Sequence, residues 1–220
     1  MSDERPSVRQ QLNTAYQLPY GVARTAAAES IVRRVENHGP IELLPEALLD
    51  LLEAHTFGDT PSRSFVVFAR ILRLWDESPE LFDDHETHRL FWGFKWVAGD
   101  APDYPNISMS QGEALLADME RRFALAGRSQ TAVLAARFRW LWHTGRPEAE
   151  AARMLWIKAE NDELDDCAAC VVGQQVDYLV EGQRYREAIE VAAGQRGECN
   201  LEPTRTLYAL ALAQLLSGYG

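Results

Sequence analysis

Two cysteines separated by two residues are the first feature of this chain that could carry out chemistry. The stretch Cys167-Ala-Ala-Cys170 has the spacing of redox dithiols and of half of a zinc site. Asp165 and Asp166 precede it, and their negative charge opposes formation of a thiolate. Cys199 is the one other cysteine, so no second Cys-x-x-Cys completes a zinc tetrad. We therefore interpret the pair as small buried apolar residues.

A second candidate is the stretch Asp-His-Glu-Thr-His at residues 84–88. Asp84, His85 and His88 could bind a metal ion together, but their spacing is not the His-Glu-x-x-His of zinc proteases. Asp83 or Asp84 more simply caps the helix that follows. The sequence also contains no phosphate-binding glycine loop, Gly-x-Ser-x-Gly elbow or dinucleotide fingerprint. These patterns predict a non-catalytic protein that uses no cofactor and no metal.

Composition narrows the classes of partner. The 220 residues carry 22 Lys and Arg against 33 Asp and Glu, a formal net charge of -11, and affinity for nucleic acid or anionic membrane needs clustered cations. No apolar stretch is long enough for a signal peptide or a membrane span. Three cysteines without a disulfide framework fit a reducing compartment, so we expect a cytoplasmic protein. Lys95 and Lys158 are the only lysines, which weakly indicates a GC-rich bacterial source.

Apolar residues recur at three- and four-residue spacing along most of the chain, whereas period-two alternation is nearly absent, so the sequence predicts an all-α fold. The apolar stripes of the first half are Ala28, Ile31, Val32 and Val35; Leu44, Leu48, Leu51 and Leu52; and Phe65, Phe68, Leu72 and Trp75. A fourth helix carries Phe91, Trp92, Phe94 and Trp96 and ends near Gly99. We predict that these aromatic rings, with Trp140 and Trp142, pack in the core; a ligand pocket is the alternative.

After a loop at 99–106, the remaining helices are expected at 109–126, 130–143, 147–161, 164–181, 185–196 and 204–217. A dipeptide recurs in them every 37 residues, as Glu113-Ala114, Glu150-Ala151 and Glu187-Ala188. Gly145 and Gly182 keep the same step. We interpret the alanine as a small residue that lets two helices approach closely, and the glycine as a positive-φ residue that ends the first helix of each pair.

The stretch GQRYREAI at 182–189 resembles the second-helix signature of the tetratricopeptide-repeat superfamily, with Tyr185, Ala188 and Ile189 in matching positions. TGRPEAEAA at 144–152 is similar but degenerate, because proline replaces the tyrosine. The resemblance covers about residues 86–220 and is clearest in 108–220. It identifies the chain as a degenerate bacterial member and implies an α-α superhelix, or solenoid, of antiparallel helix pairs whose first helices line a concave groove.

The resemblance implies seven partner-binding residues in that groove. They are Arg137, Trp140, His143, Gln174, Asp177, Glu181 and Gln214. We expect a flexible N-terminal arm over residues 1–20 and a single helical-repeat domain over 21–220. The last helix, 204–217, is apolar on nearly every side, which predicts burial all round. We therefore expect this helix to self-associate, or to be covered by further repeats of a longer array.

These expectations lead to three hypotheses of function. The first is a non-catalytic helical-repeat scaffold that binds a peptide or protein partner in its groove. The second is a regulatory module that responds to a small ligand or peptide by changing its curvature. The third is an all-helical enzyme or metal-binding protein that uses His85, His88 or the cysteines.

Overall fold

The computed structural model describes residues 7–160, 163–164, 166–193 and 203–218. Within these residues the chain is all-helical. The eleven described α-helices are α1 Val8–Tyr16, α2 Val22–His38, α3 Leu44–Thr56, α4 Ser64–Glu77, α5 Asp84–Asp100, α6 Met109–Leu125, α7 Thr131–His143, α8 Ala149–Trp156, α9 Ala168–Glu181, α10 Tyr185–Ala193 and α11 Pro203–Leu216. None of the described helices is both long enough and apolar enough to cross a lipid bilayer.

Several helices begin at a side-chain cap that the sequence specifies. Asp83 accepts hydrogen bonds from the backbone amides of His85 and Glu86 and forms a capping box with Glu86, which confirms its predicted role. Ser7 and Ser108 form the same motif with a glutamine three residues later. These side chains satisfy amides that the first turn of a helix leaves without a backbone acceptor.

The N-terminal segment is ordered where a flexible arm was expected. Residues 8–16 form α1, whose Val8, Leu12 and Ala15 are buried. The capping box at Ser7 starts this helix, and the apolar residues recur at the spacing of one helical face. Residues 8–16 of the predicted arm over residues 1–20 therefore form a helix with a buried face.

The chain divides into two compact units, Met1–Trp140 and Leu141–Gly220, where a single domain over 21–220 was expected. We call them unit 1 and unit 2. In unit 1 the core is aromatic: Phe68 packs edge-on against Phe94 and Phe91 against Phe123, with centroid distances of 4.7 and 4.8 Å. Phe91 and Phe94 are thus core residues, as predicted.

Unit 2 has a core of small and aliphatic side chains. Helices α9, α10 and α11 pack pairwise on one another, around Val176, Leu179, Ala188, Ala192 and Ala211. Along α11, however, Leu210, Leu212 and Leu216 are exposed. The burial of this helix on all sides is therefore not observed within the described chain.

The 37-residue step does not match the packing in detail. Ala188 is fully buried as expected, but Ala151 and Ala114 are exposed, and in α8 the neighbouring Ala152 is buried in place of Ala151. Gly145 has the predicted positive φ of 68°, whereas after α9 it is Gln183, at φ 58°, that adopts this conformation in place of Gly182. The connection between α7 and α8 is longer than that between α9 and α10. Residues 37 apart in the sequence therefore do not occupy equivalent positions in α8 and α10.

Of the helix boundaries that differ from the prediction, two have a local explanation in the backbone. Helix α9 begins at Ala168 and not at 164, because Cys167 is extended, at φ -59° and ψ 153°, and occupies the N-cap. Helix α8 ends at Trp156 and not at 161, because a turn follows in which the amide of Ala159 donates to the Trp156 carbonyl at 3.1 Å. The predicted end of α10 at residue 196, and Cys199, lie outside the described residues.

Candidate functional site

A cavity that gathers charged and aromatic side chains lies in unit 1 and is open to solvent. We call it the α1–α3–α5 groove. Its volume is ≈ 620 Å³, within the range of ligand sites. It is lined by Leu12, Asn13, Tyr16 and Gln17 of α1, Glu46, Asp50 and Glu53 of α3, and His85, Arg89, Trp92 and Trp96 of α5. The three alternate helices α1, α3 and α5 therefore contribute to one surface.

Helix α3 presents its carboxylates to the groove because of their spacing. Glu46, Asp50 and Glu53 lie four and three residues apart, which places them on one face of the helix. The opposite face carries Leu48 and Leu52, which are buried in the core. Burial of the leucines therefore fixes the rotation of α3 and with it the direction of the three acids.

Arg89 of α5 holds two of these acids. Its Nη2 donates to Asp50 Oδ1 at 2.6 Å and to Glu53 Oε1 at 2.7 Å, and its Nε donates to Glu53 Oε1 at 3.1 Å. All three side chains are at most 14% exposed. Burial raises the pKa of Asp50 although Arg89 acts in the opposite direction. Burial also disfavours charge on Arg89, but Glu53 and Asp50 outweigh it and raise the pKa of the guanidinium.

Glu46 has a more exposed partner. It pairs with Arg9 of α1, whose side chain is 56% exposed, while that of Glu46 is 19% exposed. Exposed ion pairs of this kind contribute little to stability, roughly 0–1 kcal/mol. The Arg9 pair can therefore be exchanged for another cation at small cost, whereas the buried Arg89 pairs cannot.

The aromatic side of the groove already stacks cations. The Lys95 ammonium lies 4.0 Å from the Trp92 ring centroid. The Arg24 guanidinium lies 4.9 Å from the centroid of Tyr16, and its Nη2 is 3.8 Å from Glu53 Oε2. Tryptophan and tyrosine faces attract cations through their ring quadrupoles. The groove thus combines carboxylates and ring faces that favour positive charge.

The histidines of α5 have different environments. His85 lines the groove, whereas His88 Nε2 accepts a hydrogen bond from Trp92 Nε1 at 3.0 Å and so orients that ring. Among the described residues no group of three or more His, Cys, Asp and Glu side chains is arranged to hold a metal ion. Cys167 and Cys170 lie in unit 2, with their sulfur atoms 3.3 Å apart. Cys167 is exposed and Cys170 is half-buried, so the interpretation of the pair as buried residues is wrong.

Two of the seven predicted partner-binding residues lie in unit 1. Arg137 is exposed and its Nη2 donates to Glu120 Oε2 at 2.7 Å. Trp140 is 4% exposed, and its ring lies directly over Gly112, where an added Cβ would be 1.9 Å from the ring. Trp140 therefore packs in the core, as predicted for the aromatic rings, and does not have the exposed position that the repeat resemblance implied for a partner-binding residue.

In unit 2, His143 and Glu181, two of the other five predicted residues, both contact Trp142, which was not predicted to bind a partner. Trp142 Nε1 donates to Glu181 Oε2 at 2.8 Å, and its ring lies 4.4 Å from that of His143 and 5.6 Å from that of Tyr178. Gln174, Asp177 and Gln214 are half-buried, and Gln174 Nε2 donates to Asp166 Oδ2 at 2.9 Å.

An ion-pair network joins the helices of unit 2. Glu150 of α8 accepts from Arg153 at 2.8 Å and from Arg184, which precedes α10, at 3.0 Å. Arg153 Nη1 also donates to the buried Gln175 Oε1 of α9 at 3.0 Å. The hydrogen bonds from Arg153 and then from Arg184 lower the pKa of Glu150 to about 2, although burial opposes them. This network fixes α8 against α9 and the start of α10.

Comparison with protein-family models, with curated proteins and with solved structures finds no match to this chain.

Proposed function

We propose that the protein is a non-catalytic helical-repeat scaffold that holds a segment of a protein partner in the α1–α3–α5 groove. The observation that carries this proposal is that alternate helices line one charged and aromatic surface. In a solenoid of helix pairs the first helix of each pair faces the concave side, so contributions from α1, α3 and α5 are those expected of such a groove. The tetratricopeptide-like repeat suggested by residues 182–189 is part of the same proposal.

The chemistry of the groove favours a basic partner segment. An incoming arginine or lysine replaces Arg9 at Glu46, because that pair is exposed and weak. Its charge then lies near Tyr16 and Trp96, whose rings supply cation–π attraction of roughly 0.5–2 kcal/mol. The net charge of -11 adds long-range attraction for a basic partner.

Selection from a displayed library of random peptides tests this function. We expect peptides recovered on the native chain to be enriched in arginine and lysine, and to bind a Trp96→Ala variant more weakly by roughly 2 kcal/mol, the size of an interface hot spot. The matched control is Trp75→Ala, since Trp75 is also half-buried in unit 1 but does not line the groove. Recovery of acidic or apolar peptides, or equal binding to both variants, would contradict the proposal.

The volume of the groove supports a second candidate, a regulatory module that binds a small organic cation there. A cavity of ≈ 620 Å³ has the size of a small-molecule site. Free arginine amide would then raise the melting temperature in a saturable manner, and Glu46→Gln would weaken this effect. If peptides bind the groove and free arginine amide does not, the scaffold function is favoured over this regulatory module.

A further inference from the structure

The two thiols at the start of α9 have a geometry that the scaffold function does not use. Cys167 occupies the N-cap and Cys170 the third position of the helix. Side chains at these two positions lie next to each other, as in every capping box. Here the two sulfur atoms are 3.3 Å apart, and a disulfide requires about 2.05 Å. The two sulfur atoms must therefore approach each other by a little over 1 Å to form the bond.

The backbone around the pair already has the conformation of a helix start. The Cys167 carbonyl accepts from the amide of Val171 at 3.0 Å, so the first helical hydrogen bond is formed. Cys167 is exposed and Cys170 is half-buried. Cys167 is therefore accessible to a reagent in solution, and Cys170 lies next to any mixed disulfide that forms at Cys167.

The electrostatic environment contains opposing contributions. The partial positive charge at the N-terminus of the 14-residue helix α9 favours a thiolate at Cys167. The negative charge of Asp166 opposes it, and this carboxylate accepts a hydrogen bond from Gln174 at 2.9 Å. These two contributions therefore act in opposite directions at the Cys167 sulfur.

From this geometry we propose that Cys167 and Cys170 form a redox-active dithiol that exchanges with a low-molecular-mass disulfide. The Cys167 thiolate attacks one sulfur of that disulfide, whose S–S bond breaks and releases one thiol. Cys170 then attacks Sγ of Cys167 in the mixed disulfide, forms the protein disulfide and releases the second thiol. The two protein thiols lose two electrons, the small disulfide gains them, and both thiol protons end on the released thiols.

Oxidised glutathione is the probe for the test, in a Cys199→Ser background so that the third thiol takes no part. We expect the intact protein to lose the mass of two hydrogen atoms and to keep no adduct. A Cys170→Ser change in the same background is expected to trap the mixed disulfide at Cys167, while Cys167→Ser reacts more slowly because the remaining thiol is half-buried. A persistent adduct on the Cys199→Ser protein, or no reaction at all, would overturn the proposal.

A second measurement separates a preformed site from two cysteines that are merely close in sequence. The equilibrium constant for disulfide formation against glutathione is measured for the folded chain and for the same chain in urea. Because α9 holds the thiols together, we expect a constant higher by about tenfold or more in the folded chain. An equal or lower constant would overturn the proposal. Neither result depends on the groove of unit 1, so the two proposals fail independently.

Discussion

Replacing Gly112 by alanine tests whether Trp140 is a core residue. Alanine in a helix interior is favoured over glycine by about 1 kcal/mol, so Gly112→Ala stabilises α6 unless the methyl group lacks space. An added Cβ would lie 1.9, 2.3 and 2.6 Å from three atoms of the Trp140 ring, far inside van der Waals contact. The ring must move, and overpacking of this kind costs about 1–3 kcal/mol.

The expected net effect is a loss of about 1–2 kcal/mol in the free energy of unfolding, measured by urea denaturation. Gly99→Ala is the matched control, because its Cβ would meet only the Arg139 guanidinium at 3.4 Å. This control is expected to be neutral or stabilising. Combining Gly112→Ala with Trp140→Leu should show a coupling of at least about 0.5 kcal/mol. A Gly112→Ala chain as stable as the native one would refute the burial of Trp140 over α6.

Three further substitutions test separate parts of the structure. Glu150→Gln removes a carboxylate whose pKa is lowered to about 2, so its stabilisation is present above the unfolded pKa near 4.5 and is lost as the pH falls toward 2. After discounting for exposure, urea titrations should show that the variant loses about 1 kcal/mol of unfolding free energy at pH 7 and little at pH 2. Equal losses at both pH values would argue against the network. Arg89→Met leaves two buried carboxylates without their cation, and we expect urea denaturation to show a loss of about 3–5 kcal/mol that shrinks on acidification; a loss below about 1 kcal/mol would contradict the pairing. Asp83→Ala removes the cap of α5 and should cost about 1 kcal/mol by thermal denaturation, whereas Asp84→Ala should cost less.

Local signals predicted most of the helices. The apolar spacing and the Asp83 cap located the start of α5, and Gly145 adopts the positive φ that ends α7. The same kind of signal was present for α1, in the Ser-x-x-Gln at Ser7 and the apolar residues that follow, but a polar terminal segment was interpreted as an arm. A weighting of capping boxes over terminal position would have found this helix.

The candidate groove could not be found from local patterns alone. The spacing of Glu46, Asp50 and Glu53 places them on one helical face, but Arg89, the partner of Asp50 and Glu53, is 36 to 39 residues away in sequence. For Trp140 the repeat register predicted a position facing the partner groove, whereas its contact with Gly112 buries it. Such pairings depend on tertiary packing between helices, which periodicity within one helix does not encode.

The difference in affinity between two labelled peptide pools tests the central claim most directly. One pool has arginine fixed at two of its positions and the other has glutamate there; both are titrated against the native chain by fluorescence anisotropy. We expect the arginine pool alone to bind, and we expect Glu46→Lys to weaken that binding by about tenfold. The control is Glu77→Lys, which removes an exposed carboxylate paired with Arg73 outside the groove and should leave the binding unchanged. Equal binding of the two pools, or equal affinities of the Glu46→Lys and native chains for the arginine pool, would contradict the account.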